Sequence, residues 1–354
     1  MLLIARYRPL PCAPNDASAS PPWPSDPSSS QILTPPLCAL DLPLILEESH
    51  QKEGADFTYK GGFGYHPLVI SMGQTQECLR VINRRGNVAS AEGTAEQIEA
   101  LEPLLHSRFT KVLWRGDSAF ARQDVFDACE RHGMYFAMVS PAQRNFEKLA
   151  EAVPQRNWRI FHSQPQLDRA SGAGKARRKR TKNLRHQRAR ERGKRDLRLR
   201  RQWLAEIEYQ PTRSKQAYRL IIRRQRIEES KQGELFEVWR YRYVLTNLPK
   251  SYSSEQAMRQ TYRRCDQENV IEQLQSGVAA MRAPTGTLLA NASLMACARI
   301  AHNLKAWLAQ TVLPREVMRW HWKRFRYAYV YVAARVVKAA RRTHVRVSDV
   351  QELR

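Results

Sequence analysis

The chain has 354 residues with 42% apolar side chains, enough for a substantial core in one large domain or in two to three ordinary ones. Its 59 lysines and arginines outnumber 34 acidic residues, and the net charge of +25 favours a polyanionic partner, most commonly nucleic acid. No apolar run reaches the roughly 18 residues of a membrane-spanning helix, and the N-terminus lacks the pattern of a signal peptide. We therefore expect no membrane segment.

Residues 1–37 are rich in proline and serine and are predicted to be disordered. Residues 38–145 combine short apolar runs with helical patterns, which predicts an α/β unit with a mixed sheet flanked by helices. The predicted strands are residues 37–46, 66–71, 78–82, 112–114 and 135–139, and the predicted helices are residues 91–105 and 123–132.

Residues 146–238 differ in composition, because residues 175–201 contain 15 lysines and arginines and only two acids. We interpret residues 146–238 as a basic insertion, with strand patterns at residues 219–226 and 236–245. Residues 239–313 would hold the last strand and a helical region, and residues 314–354 a basic C-terminal region. The helical region has one apolar stripe that ends near Pro314, formed by Leu289, Ala296, Ile300, Leu304 and Trp307.

The cysteines are scattered and form no CxxC pair; they are Cys12, Cys38, Cys78, Cys129, Cys265 and Cys297. This spacing argues against a zinc ribbon and against a disulfide framework. It favours a reducing cytoplasm.

A single acid, Asp117, follows the predicted strand that ends in Arg115-Gly116. One interpretation is an N-cap of the following helix, assisted by Ser118. The other is a metal-binding carboxylate held rigidly at a strand end, where the side chain opens into a cleft. Phosphoryl transfer with two metal ions needs further carboxylates, so partners for Asp117 are required by the second interpretation.

Two other acids are candidates for those partners. Asp41 lies alone in the apolar run CALDLPLIL, which places it at a sheet edge or in a site. Glu268 lies on a predicted helix four residues after Arg264, so the two share a helix face. A surface ion pair with Arg264 is the alternative interpretation of Glu268.

The basic segment is either a solvated charged helix or a contact to the DNA backbone. We favour DNA, because so many cations without acids repel one another until phosphates replace their counterions. Such contacts give affinity rather than sequence choice. The predicted DNA contacts in this segment are Lys175, Arg177, Arg178, Lys179, Arg180 and Lys182. Aromatic residues between Trp320 and Tyr331 are interpreted as core packing, with stacking on DNA bases as the alternative.

Several segments together resemble DDE-type insertion-sequence transposases of the IS thirteen-eighty type, also called transposase DDE group 1. The residues YRRCDQENVIEQL (262–274) resemble the signature around the third catalytic acid, and RGDSAFAR (115–122) resembles the second-acid motif. Four further segments follow in family order: KEGADFTYKGGFGYHPLVIS (52–71), VLTNLP (244–249), NASLMACARIAHNLKAWL (291–308) and FRYAYVYVAARVVKAARRTHVRV (325–347).

The resemblance implies a ribonuclease-H-like mixed sheet flanked by helices, with a basic insertion before the last catalytic helix. It implies that Asp41, Asp117 and Glu268 form a catalytic triad that binds Mg²⁺, for which Mn²⁺ can substitute. It implies that Arg264 and Tyr262 lie near the scissile phosphate of double-stranded DNA, both transposon ends and target. The expected reaction is cut-and-paste strand cleavage and transfer at terminal inverted repeats, by a bacterial, nucleoid-associated protein that could form a homodimer.

Two other functions stay open. The residues around Asp41, Ala39-Leu40-Asp41-Leu42-Pro43, depart from the family's usual pattern, and the Pro/Ser-rich start is unlike the family's N-terminal region. A truncated, inactive transposase remnant that only binds DNA is therefore the alternative. A basic RNA-binding protein of ribosomal type would explain the charge but not three ordered acidic motifs.

Overall fold

The computed structural model describes residues 37–41, 43–47, 51–58, 61–161, 202–227, 238–262, 265–339 and 342–347. Several predicted features lie outside the described residues. They are residues 1–36 of the predicted disordered segment, the basic segment 175–201 with its six predicted DNA contacts, and Arg264. In the described part of the chain, no helix combines the length and apolar character needed to cross a membrane.

The strands are β1 (Leu37–Asp41), β2 (Ile45–Leu46), β3 (Asp56–Phe57), β4 (Phe63–Tyr65), β5 (Leu68–Met72), β6 (Cys78–Ile82), β7 (Leu113–Gly116), β8 (Tyr135–Ser140), β9 (Arg159–Phe161), β10 (Gln202–Tyr209), β11 (Tyr218–Ile227), β12 (Val238–Thr246), β13 (Ala334–Ala339) and β14 (Arg342–Val347). The helices are α1 (Thr94–His106), α2 (Gln123–Arg131), α3 (Arg144–Glu151), α4 (Ser254–Tyr262), α5 (Cys265–Glu272), α6 (Leu288–Thr311) and α7 (Trp322–Phe325). A π-helical turn, Gln273–Gly277, continues α5.

Nine strands form one mixed sheet in the order β6-β5-β1-β7-β8-β12-β11-β10-β9. The strands β1, β7 and β8 are parallel, and every other neighbouring pair is antiparallel. Helices cover both faces of this sheet, so the predicted mixed sheet flanked by helices is confirmed. The arrangement agrees with the ribonuclease-H-like fold that the resemblance implies.

The two faces of the sheet carry separate apolar clusters. On one face, α1, α2 and α3 pack on a cluster that contains Trp114, Phe126, Phe136 and Tyr218. The rings of Phe126 and Phe136 stack with their centroids 4.5 Å apart. On the other face, α4 packs on Leu113 and its neighbours, while α5 and α6 pack on a cluster around β5. We call the second face the α4–α5 face.

The insertion contributes strands to the same sheet. The predicted strands at residues 219–226 and 236–245 correspond to β11 and β12, and β12 pairs with β8 from Tyr243↔Ser140 to Thr246↔Ala137. Asn247 fixes this junction, because its Oδ1 accepts from the Phe136 amide at 2.7 Å and its Nδ2 donates to the Met134 carbonyl at 3.0 Å. The insertion strands therefore extend the motif-bearing half of the sheet.

One predicted strand boundary was wrong, and the structure adds the orientation of α6. The run at residues 37–46 is broken into β1 and β2, because Pro43 lacks the amide that a continuing strand needs. The apolar stripe on α6 faces outward: Leu289 is 78% exposed and Ile300 is 51% exposed. The inward face of α6 instead carries polar side chains that bond to the protein, such as Asn303, which bonds to the Cys78 backbone.

Candidate active site

Asp41 and Asp117 lie at the carboxyl ends of two neighbouring parallel strands. Asp41 is the last residue of β1, and Asp117 directly follows Gly116, the last residue of β7. The register pairs Leu37 with Leu113, Cys38 with Trp114 and Ala39 with Arg115. Each acid is therefore two residues beyond the last of these pairs, Ala39↔Arg115.

Strand alternation places both acids on the α4–α5 face. Successive side chains of a strand point to opposite faces. Cys38, Leu40 and Trp114 belong to the apolar cluster under α1 and α2, whereas Leu113 belongs to the cluster under α4. Asp41 is one residue after Leu40, so its side chain points to the opposite face from that of Leu40. Asp117 is four residues after Leu113, so the same alternation directs its side chain to the face of Leu113. Both carboxylates are thereby directed to the face opposite α1 and α2. Both residues are half-buried.

Asp117 also caps a short turn, as one interpretation of the sequence predicted. Its Oδ1 accepts a hydrogen bond at 2.9 Å from the amide of Ala119, at the start of the 3₁₀ turn Ser118–Phe120. Gly116 is required before it, because a Cβ there would lie 2.8 Å from Cβ of Phe120. A carboxylate has about four acceptor positions, so capping and metal binding do not exclude each other.

Glu268 lies on α5, which is fastened directly to β1 and β5. The Nε2 of the neighbouring Gln267 donates to the carbonyl of Ala39 at 2.9 Å and to that of Val69 at 3.3 Å. Gln267 is buried, whereas Glu268 is exposed. Glu268 therefore directly follows Gln267, and Gln267 contacts β1 at Ala39, two residues before Asp41.

Among the described residues, no group of three or more His, Cys, Asp or Glu side chains is arranged to hold a metal ion. Asp41 and Asp117 nevertheless lie at the carboxyl ends of two neighbouring parallel strands. Carboxylate oxygens are the ligands that Mg²⁺ prefers, so the donor chemistry of these two residues fits the ion.

Tyr262, a predicted DNA contact, ends α4 on the same face. Its ring lies under the guanidinium of Arg223, with 4.5 Å from Cζ to the ring centroid. Among the described residues its hydroxyl has no hydrogen-bond partner.

The model of the transposase DDE domain group 1 family matches residues 38–352. The chain belongs to this transposase family. The predicted membership is thereby confirmed, and it covers both the motif-bearing strands and the insertion.

Two further comparisons concern individual proteins. A solved structure, the synaptic complex of piggyBac transposase with hairpin DNA, is similar with a TM-score of 0.36 and 9% sequence identity. The match covers 84% of this transposase, which spans 56% of the length of the piggyBac chain. No curated protein matches the sequence.

Sequence reasoning missed two residues that link the strands and helices around the candidate site. Arg115 is fully buried, and its Nη1 donates to the carbonyl of Gln260 at 3.0 Å, which ties β7 to α4. Gln267 ties α5 to β1, as described above. A signal existed for both: Arg115 interrupts an apolar strand directly before Gly116-Asp117, and Gln267 directly precedes the third acid in its motif.

Proposed function

We propose that this transposase catalyses metal-dependent DNA strand cleavage and strand transfer, in cut-and-paste transposition at terminal inverted repeats. The observation that supports the proposal is the parallel pairing of β1 and β7, because Asp41 and Asp117 each lie two residues beyond the last pair of that register, Ala39↔Arg115. Glu268 on α5 is the third member. The substrate would be double-stranded DNA, as transposon ends and as target, bound by a protein that acts as a homodimer on the bacterial nucleoid.

Asp41 and Asp117 would hold Mg²⁺ or Mn²⁺ between them, with Glu268 as the third carboxylate. Two bound divalent ions lower the pKa of an attacking water or hydroxyl and offset charge on the phosphate oxygens. The chain's own residues orient the substrate: Arg264 would hold a phosphate near the scissile bond, and Tyr262 would contact the same strand. The six cations from Lys175 to Lys182 would bind the DNA backbone, which supplies affinity without sequence choice.

A remnant that binds DNA without cutting it is the second candidate function. This candidate is favoured because no group of three His, Cys, Asp or Glu side chains among the described residues is arranged to hold a metal ion. Both candidates predict DNA binding, so only a cleavage experiment separates them.

The test is cleavage of end-labelled DNA that spans the borders of the element, with Mg²⁺ or Mn²⁺. Asp117→Asn keeps the oxygen that caps Ala119 but removes the charge, so folding should persist while cleavage falls by at least about 1,000-fold. Asp127→Asn is the matched control, because Asp127 is an exposed acid on α2 that accepts a hydrogen bond from Gln123, and an asparagine oxygen can accept the same bond.

The result expected is metal-dependent cutting by the wild type and by the Asp127→Asn variant, and none by Asp117→Asn. Equal DNA binding by all three proteins with no cutting by any of them would contradict the enzymatic proposal. That outcome would support the DNA-binding remnant.

A further inference from the structure

Two arginines stand directly opposite each other on neighbouring strands, one in the insertion and one in the strand that follows it. Arg223 of β11 pairs with Arg242 of β12, and Gln225 pairs with Arg240 two positions further along. Like charges at directly opposed positions destabilise a sheet. Among the described residues, no salt bridge reaches Arg223, Arg240 or Arg242. Within the described part of the chain, this cluster of three arginines therefore carries an electrostatic cost.

The arginine cluster lies on the α4–α5 face, at the edge where the predicted acids lie. Val139 of β8 pairs with Val244 of β12, and Val244 pairs with Ile221 of β11. Both Val244 and Ile221 belong to the apolar cluster under α4. Arg223 is two residues beyond Ile221 and therefore shares its face. Because β12 is antiparallel to β8, Arg242 lies past Ser140, toward the carboxyl ends of β7 and β8.

Buried donors in this cluster have no acceptor. Arg223 is only 8% exposed, yet its Nε has no hydrogen-bond partner, and its Nη1 reaches only Gln202 Oε1 at 3.4 Å. The Nε2 of Gln225, which is 3% exposed, and the hydroxyl of Tyr262 also have no partner among the described residues. A buried donor without an acceptor destabilises the folded state. Several such donors beside these arginines fit an anion with many acceptor oxygens.

Desolvation supports this description of Arg223. Burial lowers the pKa of its guanidinium, and Arg242 and Arg240 lower the pKa further, while Tyr262 opposes them. An anion placed between Arg223 and Arg242 would remove the repulsion that these neighbours cause. A guanidinium offers a planar pair of donors that matches two oxygens of a phosphate.

We infer that Arg223, Gln225 and Arg242 bind a backbone phosphate of the DNA strand that passes Asp117. This inference rests on the proposed function, and it assigns a phosphodiester subsite to β11 and β12. Strands are spaced by about 4.8 Å, so β12 is roughly 10 Å and β11 roughly 14 Å across the sheet from β7. The bound phosphate is therefore a few nucleotides from the scissile one.

The first experiment measures DNA affinity of the full-length protein as a function of salt concentration. The double variant Arg223→Gln/Arg242→Gln is compared with Arg108→Gln/Arg131→Gln, which removes the same charge from the α1–α2 side. We expect the first double variant to lower the slope of log affinity against log salt by about one to two, equally for border DNA and for unrelated DNA. The single variant Arg242→Gln guards against misfolding, because Arg242 is exposed.

The second experiment locates the phosphate. Single neutral methylphosphonates are placed along the strand, and one placed a few nucleotides from the border of the element should weaken wild-type binding about tenfold. The same substitution should have no effect on the Arg223→Gln/Arg242→Gln variant, since its partner is already missing.

The outcomes separate the two proposals. If the wild type cuts DNA and the two double variants behave alike, the subsite is overturned while the proposed function stands. If no protein cuts DNA but the slope and the methylphosphonate effect change as expected, the subsite stands and the enzymatic proposal fails. A uniform loss of affinity in both double variants, with no position dependence, also overturns the subsite.

Discussion

On the α4–α5 face, single acids lie at the carboxyl ends of β1 and β7, whereas β11 of the insertion and the following strand β12 present opposed arginines. Asp41 and Asp117 lie on strands that pair in parallel, and Arg223 and Arg242 pair directly on antiparallel strands. Both pairs lie at the same edge of one continuous sheet. The comparison separates two tasks: a few rigid carboxylates suited to metal chemistry, and cations suited to holding the polyanion across them.

The junction between the two regions provides the largest expected effect. Asn247 bonds to the Phe136 amide, the Met134 carbonyl and Oε1 of Glu130. Asn247→Ala should lower the free energy of unfolding by about 3 kcal/mol, because it leaves buried backbone groups at β8 unsatisfied. Urea unfolding would measure it, with the exposed Asn157→Ala as control. A loss confined to the insertion, with the motif-bearing strands still folded, would break the description of one cooperative sheet.

Gln267→Leu sharpens the comparison from the acidic side. It removes both bonds that hold α5 on β1 and β5, so Glu268 should lose its position relative to Asp41. Cleavage should fall about 10- to 100-fold, as for other residues that orient metal ligands, with unchanged DNA affinity. Rate and affinity are measured on the same border DNA, and Gln275→Leu, after α5, is the control. A parallel fall in affinity would count against a positioning role.

Arg224→Met tests the basic side with a neighbour of Arg223 on the other face. The Arg224 guanidinium lies 4.0, 4.6 and 5.6 Å from the ring centroids of Trp158, Trp239 and Trp203, and donates to Gln155. The variant should lose about 1–2 kcal/mol of stability through these cation–π contacts and leave DNA affinity unchanged. Thermal unfolding and a binding titration check both halves. A change in the slope of log affinity against log salt concentration would show that Arg224 also takes part in DNA binding. That result would contradict the division between stability at Arg224 and DNA binding at Arg223.

Lys305 gives the smallest expected effect, on a cation that belongs to neither region. It is 2% exposed, donates to Gln273 and to the Trp320 carbonyl, and burial lowers its pKa to about 8. Unfolded lysine titrates near 10.4, so the unfolded chain binds more protons between about pH 8 and pH 10.4. Stability at this site therefore rises with pH across that window and is lost as the pH falls through about 8.

Unfolding free energies at pH 7.5, 8.5 and 9.5 measure this contribution. The rise between these values should be smaller in Lys305→Met than in the wild type and in Lys323→Met, which alters an exposed lysine. An identical pH dependence in all three proteins would contradict the linkage.

The sequence predicted those features that depend on neighbouring residues. Asp117 could be identified because an apolar run, a glycine and an acid follow one another, and α2 could be placed because its apolar period is local. Glu268 was identified through its motif. The opposition of Arg223 and Arg242 could not be predicted, because it depends on the pairing of two strands from separate parts of the chain. The polar inner face of α6 was missed for a related reason: Asn303 is satisfied by the distant Cys78 backbone.

The two-residue period of β1 sets a rule for how this protein can tolerate insertions and deletions. Removing one residue of β1, such as Ala39, would turn Asp41 toward Trp114 and the apolar cluster under α1 and α2. Removing two, such as Ala39 and Leu40, would shorten the strand but keep the carboxylate on the α4–α5 face. Among natural or engineered length variants of this strand, even-numbered changes should therefore survive far more often than odd-numbered ones.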